Sequence, residues 1–279
     1  MLTGFFVFSF IDASAKWMAL AGMPPLVTAF LRYIGHFGIT FGLLLRNGVS
    51  WRSFTTPRFG LVLVRALFIL ACTVLNFAAV RYLPLTLTSV ILFTSPLMVC
   101  ALSGPMLGEK VGVWRWGAIL IGFVGLVIAI RPFDATFHWA IILSVVNAIS
   151  FALYIITTRK LSGDVDSDIM QFYAAAVGIA LLLPVAIIQW QNPGSVINWS
   201  ILLAMGVWGW LGHELVTRAH SYAEASTLTP FSYAYLVYVT IWSALVFNHW
   251  PDVWTLVGGA IIISTGLFIW FRERNEARA

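Results

Sequence analysis

Residues 113–130 read VWRWGAILIGFVGLVIAI, an apolar run whose single charge, Arg115, lies near its start. An α-helix rises about 1.5 Å per residue, so about 20 such residues cross the roughly 30 Å hydrocarbon core of a bilayer. Of the 279 residues, 60% are hydrophobic and 10% are charged, whereas soluble domains carry roughly 25% charged residues. The composition therefore predicts an integral membrane protein.

Nine further runs of similar length lie on either side of this one, bounded by charged residues, Pro, Gly or Asn. The ten predicted transmembrane helices cover residues 2–21, 25–45, 59–80, 85–104, 113–130, 137–158, 169–189, 199–218, 225–247 and 253–271. We therefore predict an all-α polytopic membrane protein, held in the lipid bilayer of a bacterial inner membrane.

Lys and Arg are distributed unevenly over the gaps between these runs. One side of the predicted membrane holds Arg46, Arg52, Arg58, Lys110, Arg115, Arg159, Lys160, Arg218, Arg272, Arg274 and Arg278. The other side holds Lys16, Arg81 and Arg131. Because cytoplasmic loops carry the excess of Lys and Arg, both termini are predicted to be cytoplasmic. Topology thus accounts for the net charge of +5, and no nucleic-acid partner is predicted.

The ten runs divide into five and five, and an odd number of spans in each half inverts the second half in the membrane. An offset of about 140 residues, or one more, aligns similar side chains of the two halves. The aligned pairs are Tyr82 with Tyr222, Thr86 with Ser226, Phe93 with Tyr233, Trp114 with Trp254, Gly117 with Gly258, and Gly125 with Gly266. We predict two inverted repeats around a central cavity, residues 1–132 and 133–279, the second ending in a short basic tail. The alternative is that apolar helices resemble one another by composition alone.

Two stretches carry a resemblance to a known family. The first contains YLPL at 82–85, TSPL at 94–97 and LGEK at 107–110. The second contains RAHSYA at 218–223, TPFSY at 229–233, WPD at 250–252 and a Gly pair at 258–259. Together they resemble the EamA-like permeases of the drug/metabolite transporter superfamily. The sequence departs from that pattern at Asn248-His249, where the second half of the family usually repeats Gly-Glu.

The resemblance implies a secondary transporter that moves small organic metabolites by alternating access and needs no cofactor. We predict an exporter of amino acids or related zwitterionic or aromatic compounds. The alternative is an importer of a cationic or cofactor-like metabolite, such as a vitamin or a nucleotide-like compound. An intramembrane enzyme or a channel is disfavoured, since the sequence contains neither Gly-x-Ser-x-Gly nor His-Glu-x-x-His and shows no ring of charges.

Three polar residues in the first two runs are candidates for substrate binding, because charge inside a membrane is costly unless it is paired. Asp12 and Arg32 lie at similar predicted depths, about 11–12 Å from the outer ends of their helices. They form either a gate or zwitterion site, or a fixed structural ion pair. His36 lies one turn beyond Arg32 on the same face, as a hydrogen-bonding group, a proton carrier or an interior structural histidine.

The eighth run contributes His213 and Glu214 to the predicted site. Glu214 precedes Arg218 by four residues, the spacing of a helical ion pair. We consider two roles for this carboxylate: a structural pair with Arg218, or proton exchange with the cytoplasm during an antiport cycle. Protons are therefore a possible second partner beside the small-molecule substrate.

Aromatic residues form a stripe on the ninth run, where Phe231, Tyr235, Tyr238 and Trp242 follow at steps of four, three and four. The stripe either packs helices together or lines a cavity for a flat or cationic substrate. Asn147 adds a polar contact in the sixth run, either to substrate or between helices. We predict no metal site, and expect a monomer or weak dimer, because the small-residue spacings serve packing within the bundle.

Overall fold

The computed structural model describes the chain apart from residues 47–53, 109–111, 133, 135–136, 162, 223–232 and 277–279. Eleven helices and no strand occur in these described residues. They are α1 Leu2–Leu20, α2 Pro25–Arg46, α3 Phe59–Tyr82, α4 Leu85–Leu92, α5 Ser95–Leu107, α6 Val113–Ile130, α7 Ile141–Leu161, α8 Ser167–Ile188, α9 Val196–Tyr222, α10 Ala234–Leu245 and α11 Val253–Glu276.

Seven helical segments are long and apolar enough to cross a membrane. They are Pro25–Arg46, Phe59–Tyr82, Leu85–Leu102, Val113–Ile130, Ile141–Leu161, Ser167–Ile188 and Val253–Arg272. The predicted all-helical polytopic character is therefore confirmed. The other three predicted spans fall in α1, in α9 and, for the part of the ninth span that is described, in α10.

The fourth predicted span is not one continuous helix, because α4 ends at Leu92 and α5 begins at Ser95. Proline has no backbone N–H, so Pro96 cannot donate to the carbonyl one turn before it. The chain crosses the interruption through shorter turns, in which the Thr94 N–H donates to Ile91 O at 3.1 Å. The kink occurs beside the proline that the sequence singles out in this span.

Six pairs of helices have the most extensive packing: α1 with α9, α2 with α8 and α9, α3 with α7 and α8, and α6 with α11. Small residues allow the closest of these approaches. A Cβ added to Gly206 of α9 would lie 2.6 Å from the Cα of Gly35 in α2. A Cβ on Gly125 of α6 would lie 3.0 Å from the carbonyl oxygen of Gly258 in α11. Small residues thus serve packing within the bundle.

The two ends of the bundle carry different contacts. Arg58, before α3, forms an ion pair with Asp164 at 2.9 Å and donates to Lys160 O; we call this the Arg58 end. At the opposite end of α3, Tyr82 stacks on His138. Arg131, which follows α6, pairs there with Asp252 at 2.9 Å; we call this the Arg131 end.

Candidate substrate site

Asp12 of α1 lies in the interior of the bundle, with 8% of its surface exposed. Its carboxylate accepts a hydrogen bond from Asn76 Nδ2 of α3 at 2.9 Å. The Tyr235 hydroxyl of α10 donates to the other carboxylate oxygen. Three helices that are distant in sequence thus meet at one carboxylate. Hydrogen bonds to an ionised carboxylate are stronger than those between neutral groups, so this contact holds the three helices together.

Aromatic rings pack around Tyr235, the α10 residue that bonds to this carboxylate. Tyr235 lies 6.3 Å from Phe5 and 6.1 Å from Phe93, measured between ring centroids, and both pairs pack edge to face. Phe93 also contacts Tyr233 at 5.3 Å. Phe93, Tyr233 and Tyr235 are all buried. The arrangement places a polar anchor beside aromatic walls, the combination that binds flat organic molecules in proteins.

Arg32 of α2 is also buried, with 6% of its surface exposed. Its Nη1 donates to Thr73 Oγ1 of α3 at 3.0 Å, and the Tyr33 hydroxyl lies 3.0 Å from the same oxygen. The charges of Arg32 and Asp12 interact, yet among the described ion pairs none joins these two side chains directly. The direct pair considered from the sequence is therefore absent, because Asn76, Tyr235 and Thr73 take the nearest positions.

His36 and His213 face each other across the α2–α9 interface, with ring centroids 6.1 Å apart. His36 is buried, and His213 packs edge-on against Phe8 of α1 at 5.0 Å. Gly209 lies one turn before His213 and allows α9 to approach Arg32 and His36. The structure thus brings together four of the predicted site residues, Asp12, Arg32, His36 and His213, in the interior where α1, α2 and α9 meet.

Glu214 lies close enough to Asp168, at the start of α8, for their charges to interact. The side chain of Arg218, its predicted helical partner, lies outside the described residues. Arg65 of α3 is buried as well. It donates to Thr158 Oγ1 at 2.8 Å and to Met170 O at 3.1 Å. Bonds across the bundle keep this guanidinium in the interior.

The structure divides the predicted aromatic stripe. Tyr235 points inward to Asp12, whereas Tyr238 and Trp242 are partly exposed and pack on Phe6 of α1. Trp242 Nε1 also donates to Ser9 Oγ at 2.9 Å. These two side chains therefore join α10 to α1, as in the helix-packing alternative. Phe231 lies outside the described residues.

Asn147 of α7 is buried and faces α3, where Cys72 Sγ lies 3.9 Å from its backbone oxygen. Sequence reasoning missed Tyr33, Thr73 and Gln171 as parts of the polar interior. One signal was present for Thr73, which precedes Asn76 by three residues and shares its helix face. Nothing comparable marks Tyr33 or Gln171, whose positions depend on how α2 and α8 are rotated.

The model of the EamA-like transporter family matches residues 1–131 and 138–271. The chain belongs to this family. As its motifs predict, it is a polytopic membrane transporter of the drug/metabolite transporter superfamily.

Several curated EamA-like relatives cover much of the chain. A riboflavin transporter of Vibrio cholerae is 30% identical over 280 residues, covering 100% of this chain and 94% of that protein. An S-adenosylmethionine uptake transporter of Rickettsia conorii is 35% identical over 193 residues, 69% of this chain and 65% of the relative. A pseudopaline exporter of Pseudomonas aeruginosa is 26% identical over 259 residues, 92% of this chain and 90% of the relative.

A solved crystal structure agrees with the chain in fold. It superimposes with a TM-score of 0.65, and the match covers 95% of both chains at 14% sequence identity. At this identity the likeness supports the helical architecture and carries nothing about substrate.

Proposed function

We propose that this chain is a secondary active transporter that takes up a cofactor-like metabolite with a planar aromatic ring, by alternating access. The observation that carries the proposal is the Asp12 carboxylate, bonded to Asn76 and Tyr235, with Phe5 and Phe93 packed against the Tyr235 ring. The rings suit a flat ring system, and the polar atoms suit its hydrogen-bonding groups. The riboflavin and S-adenosylmethionine transporters among the relatives act on compounds of this kind.

Alternating access rests on the proposed architecture of ten spans in two inverted repeats. If α4 and α5 count as one span and α10 belongs to the ninth, exchanging each span with the one five later maps the six most extensive packing pairs onto one another. The pair α1–α9 then becomes α7–α3, while α2–α8 and α6–α11 map onto themselves, and all of these pairs occur. The predicted equivalents Phe93 and Tyr233 lie in contact, as expected near a two-fold axis. The two matched family segments support the same division.

The orientation we propose places both termini in the cytoplasm of a bacterial cell. The Arg58 end gathers the Lys and Arg excess, including Arg58 itself and Arg159 and Lys160 at the end of α7. Positive charge next to a span marks the cytoplasmic side. The Arg131 end then faces the periplasm, and the protein acts as a monomer or weak dimer.

A second candidate is export of a zwitterionic, amino-acid-like compound. Asp12 and Arg32 carry opposite charges in one interior and do not form a direct ion pair, so each is positioned to meet one end of a zwitterion. The pseudopaline exporter among the relatives supports the outward direction. Both candidates use the same side chains, so transport assays must separate them.

Reconstitution into liposomes separates the two candidates. Vesicles loaded with unlabelled riboflavin, S-adenosylmethionine or tryptophan are diluted into the matching labelled compound, and counterflow is followed over time. We expect saturable counterflow with riboflavin or S-adenosylmethionine. Counterflow with tryptophan alone would support the exporter of zwitterions, and no counterflow with any of the compounds would contradict both candidates.

Proton coupling is tested in the same vesicles with an imposed pH gradient. Glu214 and Asp168 bring two negative charges together near the Arg58 end, and a proton bound at either carboxylate relieves their repulsion. We expect Glu214→Gln to keep counterflow but to lose accumulation driven by the pH gradient. If gradient-driven accumulation by this variant matches that of the parent protein, Glu214 does not carry the coupled proton.

A further inference from the structure

Three polar side chains on one face of α2 are buried without a complete set of partners. Arg32, His36 and Thr40 follow at steps of four residues, and each has 6% or less of its surface exposed. Among the described residues, nothing hydrogen-bonds to Arg32 Nε, to either ring nitrogen of His36 or to Thr40 Oγ1. Buried polar groups in folded proteins nearly always have partners. This face of α2 therefore presents polar atoms that the described residues leave without partners.

The elements packed against this face place no side chain of position 209 against Arg32 and His36. Gly209 of α9 has no side chain, and a Cβ built there would lie 3.4 Å from Arg32 Nε and 3.5 Å from His36 Nδ1. His213 lies across the interface from His36 at 6.1 Å. Gln171 of α8 comes close to the His36 ring without meeting either nitrogen in hydrogen-bonding geometry. Glycine at position 209 therefore puts no side chain over the unpartnered nitrogens on the α9 side.

The charges around this group favour an anion. Arg32 and Arg65 both act electrostatically on His213, as does His36. Of the carboxylates nearby in the bundle, Asp12 interacts with the charge of Arg32 but accepts its hydrogen bonds from Asn76 and Tyr235, and the charge of Glu214 acts on Asp168. Arg32 Nε and the ring nitrogens of His36 thus remain without partners among the described residues, in a region of positive charge to which Arg65 adds its charge while its own donors bond to α7 and α8. A further cation, including a second proton on the histidines, would be repelled.

We propose that Arg32, His36 and His213 form a subsite for an anionic group of the transported compound, a carboxylate or a phosphate. The subsite rests on the proposed transport function, since it lies beside the Asp12 cluster in the same interior. Arg32 Nε supplies a charge-assisted donor, and each imidazole turns an N–H toward the anion. The transported compound then carries an aromatic ring for the Tyr235 wall and a negative group for Arg32.

Two pairs of probes test this subsite on the full chain, purified into lipid nanodiscs. Riboflavin and riboflavin 5′-phosphate differ by a phosphate, and tryptophanamide and tryptophan differ by a carboxylate. Dissociation constants are measured with the tritiated compounds. In at least one pair we expect the member with the anionic group to bind at least ten-fold more tightly than the other member. A preference in the riboflavin pair indicates a phosphate site, and a preference in the tryptophan pair indicates a carboxylate site.

The variant Gly209→Ala fills the space beside Arg32 Nε and leaves every charged group in place. Its methyl group makes ordinary contacts of 3.4–3.5 Å, so the fold is retained. We expect this variant to lose the ten-fold preference while its affinity for the member without the anionic group changes less than two-fold. Gly38→Ala is the matched control on α2, because a Cβ there meets nothing within 4 Å, and it should bind like the parent. Arg32→Gln should lose the same preference.

Equal binding of the two members of each pair would overturn the subsite while leaving the proposed transport function intact. A preference that persists in both Gly209→Ala and Arg32→Gln would also overturn it, by showing that the anion binds elsewhere. If no member of either pair binds, both the subsite and the proposed substrate class are overturned.

Discussion

Asp12 of α1 is the residue at which α1, α3 and α10 meet in the interior of the bundle. A carboxylate in a membrane protein interior is costly unless donors surround it, and here Asn76 and Tyr235 supply them from two other helices. Those donors leave Arg32 free of a direct ion pair with Asp12, so the guanidinium and the carboxylate serve different parts of the site. The proposed function depends on this separation of the carboxylate of Asp12 from the guanidinium of Arg32.

Removing the Tyr235 hydroxyl should weaken this site. In Tyr235→Phe the ring stays against Phe5 and Phe93, but Asp12 loses a donor worth about 1.5–3 kcal/mol when the acceptor is charged. We expect a lower unfolding midpoint in detergent and counterflow affinity reduced about ten-fold, as such an energy implies. Tyr238→Phe is the control on the same helix, because its ring packs on Phe6 at the partly exposed seam. Equal effects of the two variants would remove Tyr235 from the site.

Arg65 connects three helices, α3, α7 and α8. It lies on α3, donates to Tyr154 and Thr158 of α7, and reaches the backbone of α8 at Met170. Its guanidinium also lies 4.7 Å from the Tyr154 ring centroid. A planar group with five donors bonds in several directions at once, which a lysine ammonium on its flexible stem does not reproduce.

Replacing Arg65 should therefore loosen the packing of α3 on α7 and α8. We expect Arg65→Lys to cost about 3 kcal/mol, since hydrogen bonds to a charged group contribute about 1.5–3 kcal/mol each and are not additive. The measurement is chemical unfolding in detergent, followed by circular dichroism. Arg81→Lys is the matched control, because Arg81 is exposed at the opposite end of the same helix. If both variants unfold alike, the network around Arg65 contributes nothing to stability.

Ion pairs join the two halves of the chain at both ends of the bundle. Arg58–Asp164 at one end and Arg131–Asp252 at the other each join a residue before position 133 to one after it. Alternating access requires the halves to separate at one end at a time. If the protein works by the proposed alternating access, each pair is positioned to stabilise closure of its own end.

Removing one ion pair should shift the balance between the two ends. Exposed pairs contribute up to about 1 kcal/mol, so we expect Asp164→Asn to raise the population open at the Arg58 end about two- to five-fold. Spin labels at Thr56 and Asp166 report the distance across that end, with Cys72 and Cys100 replaced by alanine. A double variant that swaps the two charges, Arg58→Asp with Asp164→Arg, should restore the distances measured in the parent protein. Unchanged distance distributions in Asp164→Asn would exclude a closing role for the pair.

Some features of the interior were predictable because they depend on local sequence. Asp12, Arg32, His36 and His213 were candidates from the cost of polar groups in apolar helices alone, and all four lie in the interior where α1, α2 and α9 meet. The aromatic stripe was less predictable. Tyr235 and Trp242 share a face of α10 by spacing, yet one meets Asp12 and the other Ser9 of α1.

The sequence alone determined that this chain is an all-helical membrane protein of the EamA-like family. In a bilayer, backbone groups must bond within each segment, so apolar length by itself predicts helices. Only the tertiary structure decided the partners of the buried charges. Asp12 and Tyr235 are separated by 223 positions in the chain, and their contact depends on how each helix is rotated about its axis. Packing against helices distant in sequence sets that rotation, and no local pattern records it.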